Sequence, residues 1–174
     1  MRYVLSAILF FSFLHVQAQS DDFPKSWTGN WKGELSWYSG NSKEPRKVNM
    51  EIRITALDSV NMYSWQIIYG SVTEDNRPYI LKAIDPDKGY WVIDEKNGIV
   101  LDQYRIGDRF IGSFSVQKST IVNSYRMEKD SMVVEFYSYS SAPVSTTGNG
   151  TDDSPKVDSY RVGSFQKAVL YRSH

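Results

Sequence analysis

Few side chains in this sequence are suited to metal binding or nucleophilic catalysis. The chain has no cysteine and two histidines, His15 and His174, and His15 lies in an N-terminal segment that we predict is removed. Without a thiolate or a second imidazole, zinc or copper sites and Ser–His or Cys–His pairs lack their usual members. The acids in Asp85-Pro86-Asp87 and Asp152-Asp153 lack the spacing of a calcium loop and are interpreted as solvated turn residues. We predict no metal site.

Carboxylates are the remaining candidates for catalysis. Asp94, Glu95 and Asp102 flank the pair Asn97-Gly98, which favours a tight hairpin and brings these acids near one another. Two carboxylates can share acid and base work, and a tyrosine hydroxyl can assist. A hairpin end is wet, however, and a solvated carboxylate keeps an ordinary pKa. We assign no catalytic residue, and an enzyme using carboxylates and tyrosine stays open as a minor alternative.

Aromatic side chains carry the main functional signal, since they make up 14% of the chain. A cavity lined by aromatic rings, with hydroxyls as polar groups, is typical of a small-molecule pocket. Arg77 is a candidate either for a surface pair with Asp75 or for holding an anionic group at the mouth. The predicted ligand-binding residues are Trp37, Tyr63, Trp65, Tyr69, Tyr79, Phe110, Phe114, Tyr125, Phe136 and Arg77. The alternative is that these rings fill the interior as an ordinary core.

The elements that position these residues are short β-strands. Trp31, Leu35 and Trp37 share one side of the first strand, and similar alternation recurs along the chain. Hairpin turns join most of the strands, and no window after the N-terminal segment has a convincing helical period. The predicted strands span about 30–38, 47–54, 61–69, 78–84, 90–94, 99–105, 110–116, 120–127, 132–139 and 158–172. This pattern predicts an all-β fold, an antiparallel up-and-down β-barrel of about eight to ten strands. A two-sheet sandwich is the rival, but it usually needs longer crossovers.

Length and composition favour one exported domain. A length of 174 residues suits a single core. Residues 1–18 combine a basic start, an apolar run and small residues before a cleavage point, which predicts a signal peptide and a secreted or periplasmic protein. Residues 19–174 then form one barrel domain with a mobile loop at about 140–156. The formal net charge is zero, so nucleic acid is not an expected partner. We predict no membrane span in the mature chain and leave the oligomeric state open.

The opening of the first strand resembles the lipocalins and related calycins. Gly29-Asn30-Trp31 matches the Gly-x-Trp that starts the first strand in that family. The resemblance implies a barrel in which Trp31 closes one end and a basic side chain from the last strand lies over its indole. Arg161 and Arg172 are the two candidates for that basic side chain.

Within the calycins, the run through Gly33 and Glu34 is similar to the nitrobindin-like branch. Members of that branch bind haem through a histidine near the C-terminal strands. The only histidine left after signal removal is His174, at the end of the sequence, so we predict no haem and no other cofactor.

The favoured hypothesis is a secreted, non-enzymatic protein that binds a small hydrophobic or amphipathic molecule inside the barrel. The alternative is an interaction module of the cell envelope that meets a glycan or a protein through surface aromatics. Tyr38, Tyr137 and Tyr139 are the candidates for that surface.

Overall fold

The computed structural model describes residues 22–40 and 42–173. The predicted signal peptide, residues 1–18, and His174 lie outside this described part. Among the described residues, no helix has the length and apolar character needed to cross a membrane.

Ten antiparallel strands form a closed barrel, which confirms the predicted fold class. Their order around the barrel is β1-β12-β9-β8-β7-β6-β5-β4-β3-β2, so almost every strand lies beside its neighbour in sequence. Two further strands, β10 and β11, pair only with each other. The strands are β1 (Gly29–Ser39), β2 (Arg46–Ala56), β3 (Met62–Tyr69), β4 (Asp75–Asp85), β5 (Tyr90–Asp94), β6 (Val100–Ile106), β7 (Arg109–Val116), β8 (Ser119–Glu128), β9 (Ser131–Ser140), β10 (Ser145–Thr147), β11 (Val157–Ser159) and β12 (Val162–Ser173).

Strand β4 begins at Asp75, earlier than the predicted start at Pro78. A proline was expected only at a strand start because it cannot donate to a ladder. However, β4 pairs with β5 only from Ile80 onward, which leaves the first part of β4 without a β5 partner. Pro78 therefore lies inside a strand, opposite Gln66 of β3, where one edge is free.

The segment between β9 and β12 contains a short ribbon that was not predicted. Ser145–Thr147 pairs with Val157–Ser159, and the last barrel strand begins at Val162 rather than near Asp158. All six residues of the ribbon are exposed, so the alternation of buried and exposed positions that reveals other strands is absent here. A register shift between Val162 and Ser164 places a bulge at Gly163.

The hydrogen-bonded ladder between β6 and β7 is short. These strands share only three register pairs, all near the end that holds Arg105 and Phe110. Farther along, the buried amide of Gln103 reaches toward Gly112 of β7 and exchanges hydrogen bonds with Asn123 of β8 at 3.0 and 3.4 Å. The paired amides satisfy one another in the interior, so neither is left as a costly unpaired polar group.

One end of the barrel is closed by aromatic rings. A single 3₁₀ turn, Lys25–Trp27, carries the chain across this end. Trp27 is fully buried, and the ring of Phe23 packs against it at 4.9 Å between centroids. The indole of Trp31 donates a hydrogen bond to the carbonyl of Trp27 at 2.8 Å, which fixes the turn to the first strand.

Arg172 covers the closed end from outside. Its guanidinium lies 4.4 Å from the centroid of the Trp31 ring and donates to the carbonyl oxygen of Thr28 at 2.6 Å. Gly29 has φ +138°, a backbone conformation that favours glycine, and a Cβ there would stand 2.5 Å from the Arg172 guanidinium and displace it. Arg161 lies away from Trp31, at the opposite end of β12, where its backbone N–H donates to Ser140.

The Arg172→Ala variant tests the cover over the closed end. We expect it to lower the free energy of unfolding by about 1 to 2 kcal/mol, because it removes a cation–π contact and a charged hydrogen bond. Arg161→Ala is the matched control and should change stability by less than about 0.5 kcal/mol. Urea denaturation followed by far-UV circular dichroism measures both, and equal losses in the two variants would contradict this account.

The Gly112→Ala variant tests the close approach of the two buried amides to β7. A Cβ at this position would lie 2.2 Å from the amide nitrogen of Gln103 and 2.7 Å from the side-chain oxygen of Asn123. Both amides are buried, so we expect a loss of about 1 to 3 kcal/mol in unfolding free energy. Gly40→Ala, where a Cβ meets nothing within 4 Å, is the control. A Gly112→Ala protein as stable as the control would show that the amides can move aside.

Candidate ligand-binding cavity

The interior of the barrel divides into a filled half and an open half. In the half near the closed end, Trp65, Phe110 and Tyr125 are almost fully buried. Trp65 packs edge-on against Phe110 and Tyr125, with ring centroids 5.5 and 5.2 Å away. Tyr63 and Tyr79 are partly buried and pack against the same core. This half is a packed aromatic core.

The other half contains a cavity of about 540 Å³. Its walls come from both ends of the sequence, because β1 and β12 close the barrel beside β2 and β9. The lining residues are Leu35, Trp37, Arg46, Val48, Tyr69, Gly70, Glu74, Asp75, Arg77, Phe114, Ile121, Phe136 and Gln166.

The cavity is apolar along its walls and polar at its rim. Leu35 is buried, and the rings of Tyr69, Phe114 and Phe136 add aromatic surface. Trp37 also lines the cavity but keeps 40% of its surface exposed, which places its indole at the mouth. The cavity is therefore open to solvent at the end opposite the aromatic plug.

Arg77 both pairs with Asp75 and faces the cavity. Its guanidinium donates two hydrogen bonds to the Asp75 carboxylate, at 3.0 and 2.8 Å, and lies 4.7 Å from the centroid of the Tyr69 ring. The hydrogen bond to Asp75 raises the pKa of Arg77, and the same bond lowers the pKa of Asp75. The two groups thus stay charged as a pair at neutral pH, held against an aromatic face at the rim.

The buried phenols near the cavity stay protonated at neutral pH. Burial raises the pKa of Tyr69 well above its usual range and raises the pKa of Tyr79 as well. For Tyr125, burial raises the pKa to about 12. These hydroxyls can donate and accept hydrogen bonds, but they do not supply a phenolate base.

The structure brings half of the ten predicted ligand-binding residues to the cavity. Those at the cavity are Trp37, Tyr69, Arg77, Phe114 and Phe136. Those outside its lining, in or against the packed core, are Tyr63, Trp65, Tyr79, Phe110 and Tyr125. The two sets alternate along strands in the same way, so the pattern places both inside the barrel. It does not tell which half each residue occupies.

Several lining residues were not singled out from the sequence. Arg46 lies directly opposite Trp37 in the ladder between β1 and β2, and Gln166 lies opposite Trp37 on the β12 side. Once the strand register is known, the positions of Arg46 and Gln166 beside the cavity follow from the position of Trp37. Arg46 alone in the sequence looks like any exposed cation after a polar loop, so it gave no signal.

Two of the three carboxylates considered for catalysis, Asp94 and Asp102, lie on the outer face of the barrel. Asp94 accepts from the Lys82 ammonium at 2.5 Å, and this hydrogen bond lowers the pKa of Asp94. Asp102 accepts from the Tyr90 hydroxyl at 2.7 Å. Neither acid belongs to the cavity lining. Among the described residues, no group of three or more histidine, cysteine, aspartate or glutamate side chains is arranged to hold a metal ion.

Comparison with known proteins supports the fold and leaves the family open. No protein-family model matches the chain, and no curated protein matches it. The structure is similar to the crystal structure of a protein of unknown function from the DUF3598 family of Nostoc punctiforme, with a TM-score of 0.61 and 11% sequence identity. The match covers 86% of this chain and 48% of that one, so this chain spans about half the length of its neighbour. At this identity the likeness concerns the barrel fold alone.

Proposed function

We propose that this protein is a non-enzymatic binding protein that holds a small hydrophobic or amphipathic molecule in the open half of the barrel. The observation that supports the proposal is the cavity of about 540 Å³, lined by Trp37, Tyr69, Phe114 and Phe136. A barrel of ten strands is wide enough that side chains need not fill it, and here the filled half ends below these rings.

The size and lining of the cavity suit a small organic molecule. Ligand sites are usually concave, mostly apolar and about 300 to 1,000 Å³ in volume. Moving apolar ligand surface from water onto these rings contributes roughly 25 cal/mol per Å² buried, before the cost of immobilising the ligand. The lining thus provides affinity without demanding one particular shape.

Polar groups at the rim favour a ligand with one polar end. The Arg77–Asp75 pair and the Arg46 side chain stand at the mouth, while the walls below them are apolar. A molecule whose apolar part enters the cavity would leave its polar part beside these groups, where solvent and hydrogen-bonding partners are both present. This division of the cavity is the reason for including amphipathic ligands.

Binding fits the site better than catalysis. The buried phenols of Tyr69 and Tyr125 stay protonated, and the Asp75 carboxylate is held ionised by Arg77, so these three groups are not tuned to exchange protons near neutral pH. Asp94 and Asp102 are hydrogen-bonded on the outer face. A periplasmic or extracellular location, as the sequence of residues 1–18 indicates, is part of the same proposal.

Trp37 provides an internal reporter of binding. It lines the cavity, whereas Trp27, Trp31, Trp65 and Trp91 are buried elsewhere. Titration with dodecanoic acid, dodecanol, retinol or 2-naphthol should change tryptophan emission for at least one of these probes. In Trp37→Phe that change should largely disappear, while calorimetry still detects binding. Trp91→Phe should keep the change. No binding of any probe by calorimetry would contradict the proposed function.

The Phe114→Ala variant tests the cavity wall. Removing this ring should weaken binding of the best probe about tenfold, or about 1.4 kcal/mol, because the ligand loses apolar contact area. Tyr171→Ala removes an exposed ring from the outer face of β12 and serves as the control, with the dissociation constant expected to stay the same. Calorimetric titration gives both constants. Similar constants for Phe114→Ala and the control would place the ligand elsewhere.

A further inference from the structure

Two rows of uncharged side chains cross the outer face of the barrel near its open end. Outward-facing residues on neighbouring strands stand beside one another in the ladder, so each row can be read from the register. The first row is Tyr38, Phe165, Tyr137, Val122 and Ser113. The second row is Val162, Tyr139, Thr120 and Ser115. We call these nine residues, together with Tyr160, the outer aromatic surface.

The rings of this surface contact one another across the strands. Phe165 is central, with its centroid 6.0 Å from that of Tyr38 and 5.0 Å from that of Tyr137, at interplanar angles of 20° and 33°. Tyr139 packs against Tyr160 at 6.1 Å. Packing against neighbouring rings already restricts these side chains, so they lose less conformational entropy when a partner binds.

The surface is accessible and separate from the cavity. Tyr38, Tyr137 and Tyr160 are 46%, 41% and 44% exposed. Along β1 and β9 the pleat alternates, so Trp37 and Phe136 face the cavity while the residues after them face outward. Binding at the outer aromatic surface therefore does not depend on the function proposed for the cavity.

Charged side chains lie beside the two rows of the outer aromatic surface rather than within them. The next row toward the closed end carries Lys167 opposite Glu135, and Glu135 also accepts from Arg109 at 3.2 Å. On β2, Lys47 is paired with Glu34 at 2.7 Å. The two rows themselves carry no charged side chain, which favours an uncharged partner over them.

Hydroxyls accompany the exposed rings. Four of the five rings are tyrosines, and Thr120, Ser113 and Ser115 lie in the same rows. The hydroxyls of Ser115 and Thr120 already bond to each other at 2.7 Å. A covered tyrosine hydroxyl also needs a hydrogen-bond partner, and a purely apolar partner would leave it unsatisfied. A neutral sugar chain complements both the rings and the hydroxyls of this surface. Each pyranose ring has an apolar C–H face that can contact an aromatic ring, and its hydroxyls donate and accept hydrogen bonds.

We propose that the outer aromatic surface binds a neutral oligosaccharide. The rings stack against sugar faces, and the tyrosine, serine and threonine hydroxyls bond to the sugar hydroxyls around them. Phe165, which contacts two tyrosines, is the centre of the site. The segment that carries the β10–β11 ribbon leaves the barrel beside Tyr139 and Tyr160, where the Ser140 N–H donates to the Arg161 carbonyl oxygen.

Calorimetry and a glycan array with maltohexaose, cellohexaose, xylohexaose and chitohexaose test the proposal, with hexagalacturonic acid as the charged comparison. At least one neutral chain should bind, more tightly than the acid. Phe165→Ala and Tyr137→Ala should each weaken that binding tenfold or more. Tyr137→Phe, which keeps the ring and loses the hydroxyl, should weaken it less. Tyr171→Ala, on the same outer face but near the closed end, should leave it unchanged.

Three results would overturn the proposal. The first is that none of the four neutral chains binds to the unaltered protein. The second is that Tyr171→Ala weakens binding as much as Tyr137→Ala does. The third is a dimer in light scattering that Tyr137→Ala and Tyr137→Phe dissociate, without sugar binding, which would make this face a contact between copies. Melting temperatures of the variants exclude misfolding as the cause, and Tyr137→Phe keeps the test valid if Phe165→Ala does not fold.

Discussion

The ladder between the first and the last strand is the interaction on which the rest of the structure depends. It runs from Asn30 opposite Ser173 to Ser39 opposite Ser164 and leaves neither strand with a free edge in the barrel. The same ladder puts Arg172 beside Trp31, so the cover over the aromatic plug exists only when the ends of the chain have met. Closing the sheet and covering the aromatic plug therefore depend on the same pairing of β1 with β12.

Because side chains alternate along a strand, each strand of the closed sheet has one set of side chains facing the interior and another facing solvent. Trp37 faces the cavity and Tyr38 the solvent, and Phe136 and Tyr137 divide in the same way. Because the period is two, one residue of slippage in β1 or β9 would exchange the cavity lining with the outer rings. The long register of β12 with both strands holds them in place, which lets adjacent residues belong to unrelated surfaces.

Much of the fold could be predicted from local patterns, and less of the site. The ten barrel strands, the hairpins and the role of Trp31 follow from alternation, turn residues and the Gly-x-Trp resemblance. The depth of a side chain along the barrel axis cannot be predicted from these patterns. Trp65 and Trp37 both occupy inward positions in their strands, but Trp65 lies in the packed core and Trp37 lies at the mouth of the cavity. Depth is set by how strands are staggered around the barrel, and no local pattern reports that stagger. The ribbon of β10 and β11 was missed because it buries nothing, and the early start of β4 was hidden by Pro78.

The junction between β6 and β7 gives the wall a property that its other junctions lack. With three register pairs, it has fewer rungs than any other neighbouring pair in the described barrel, and Phe114 of the cavity stands on the part of β7 beyond them. Fewer ladder hydrogen bonds join these two strands, so this ladder contributes less to the local stability of the sheet than its neighbours do. The hydrogen bonds between the buried amides of Gln103 and Asn123 lie where the ladder ends, and they connect β6 to β8 across β7.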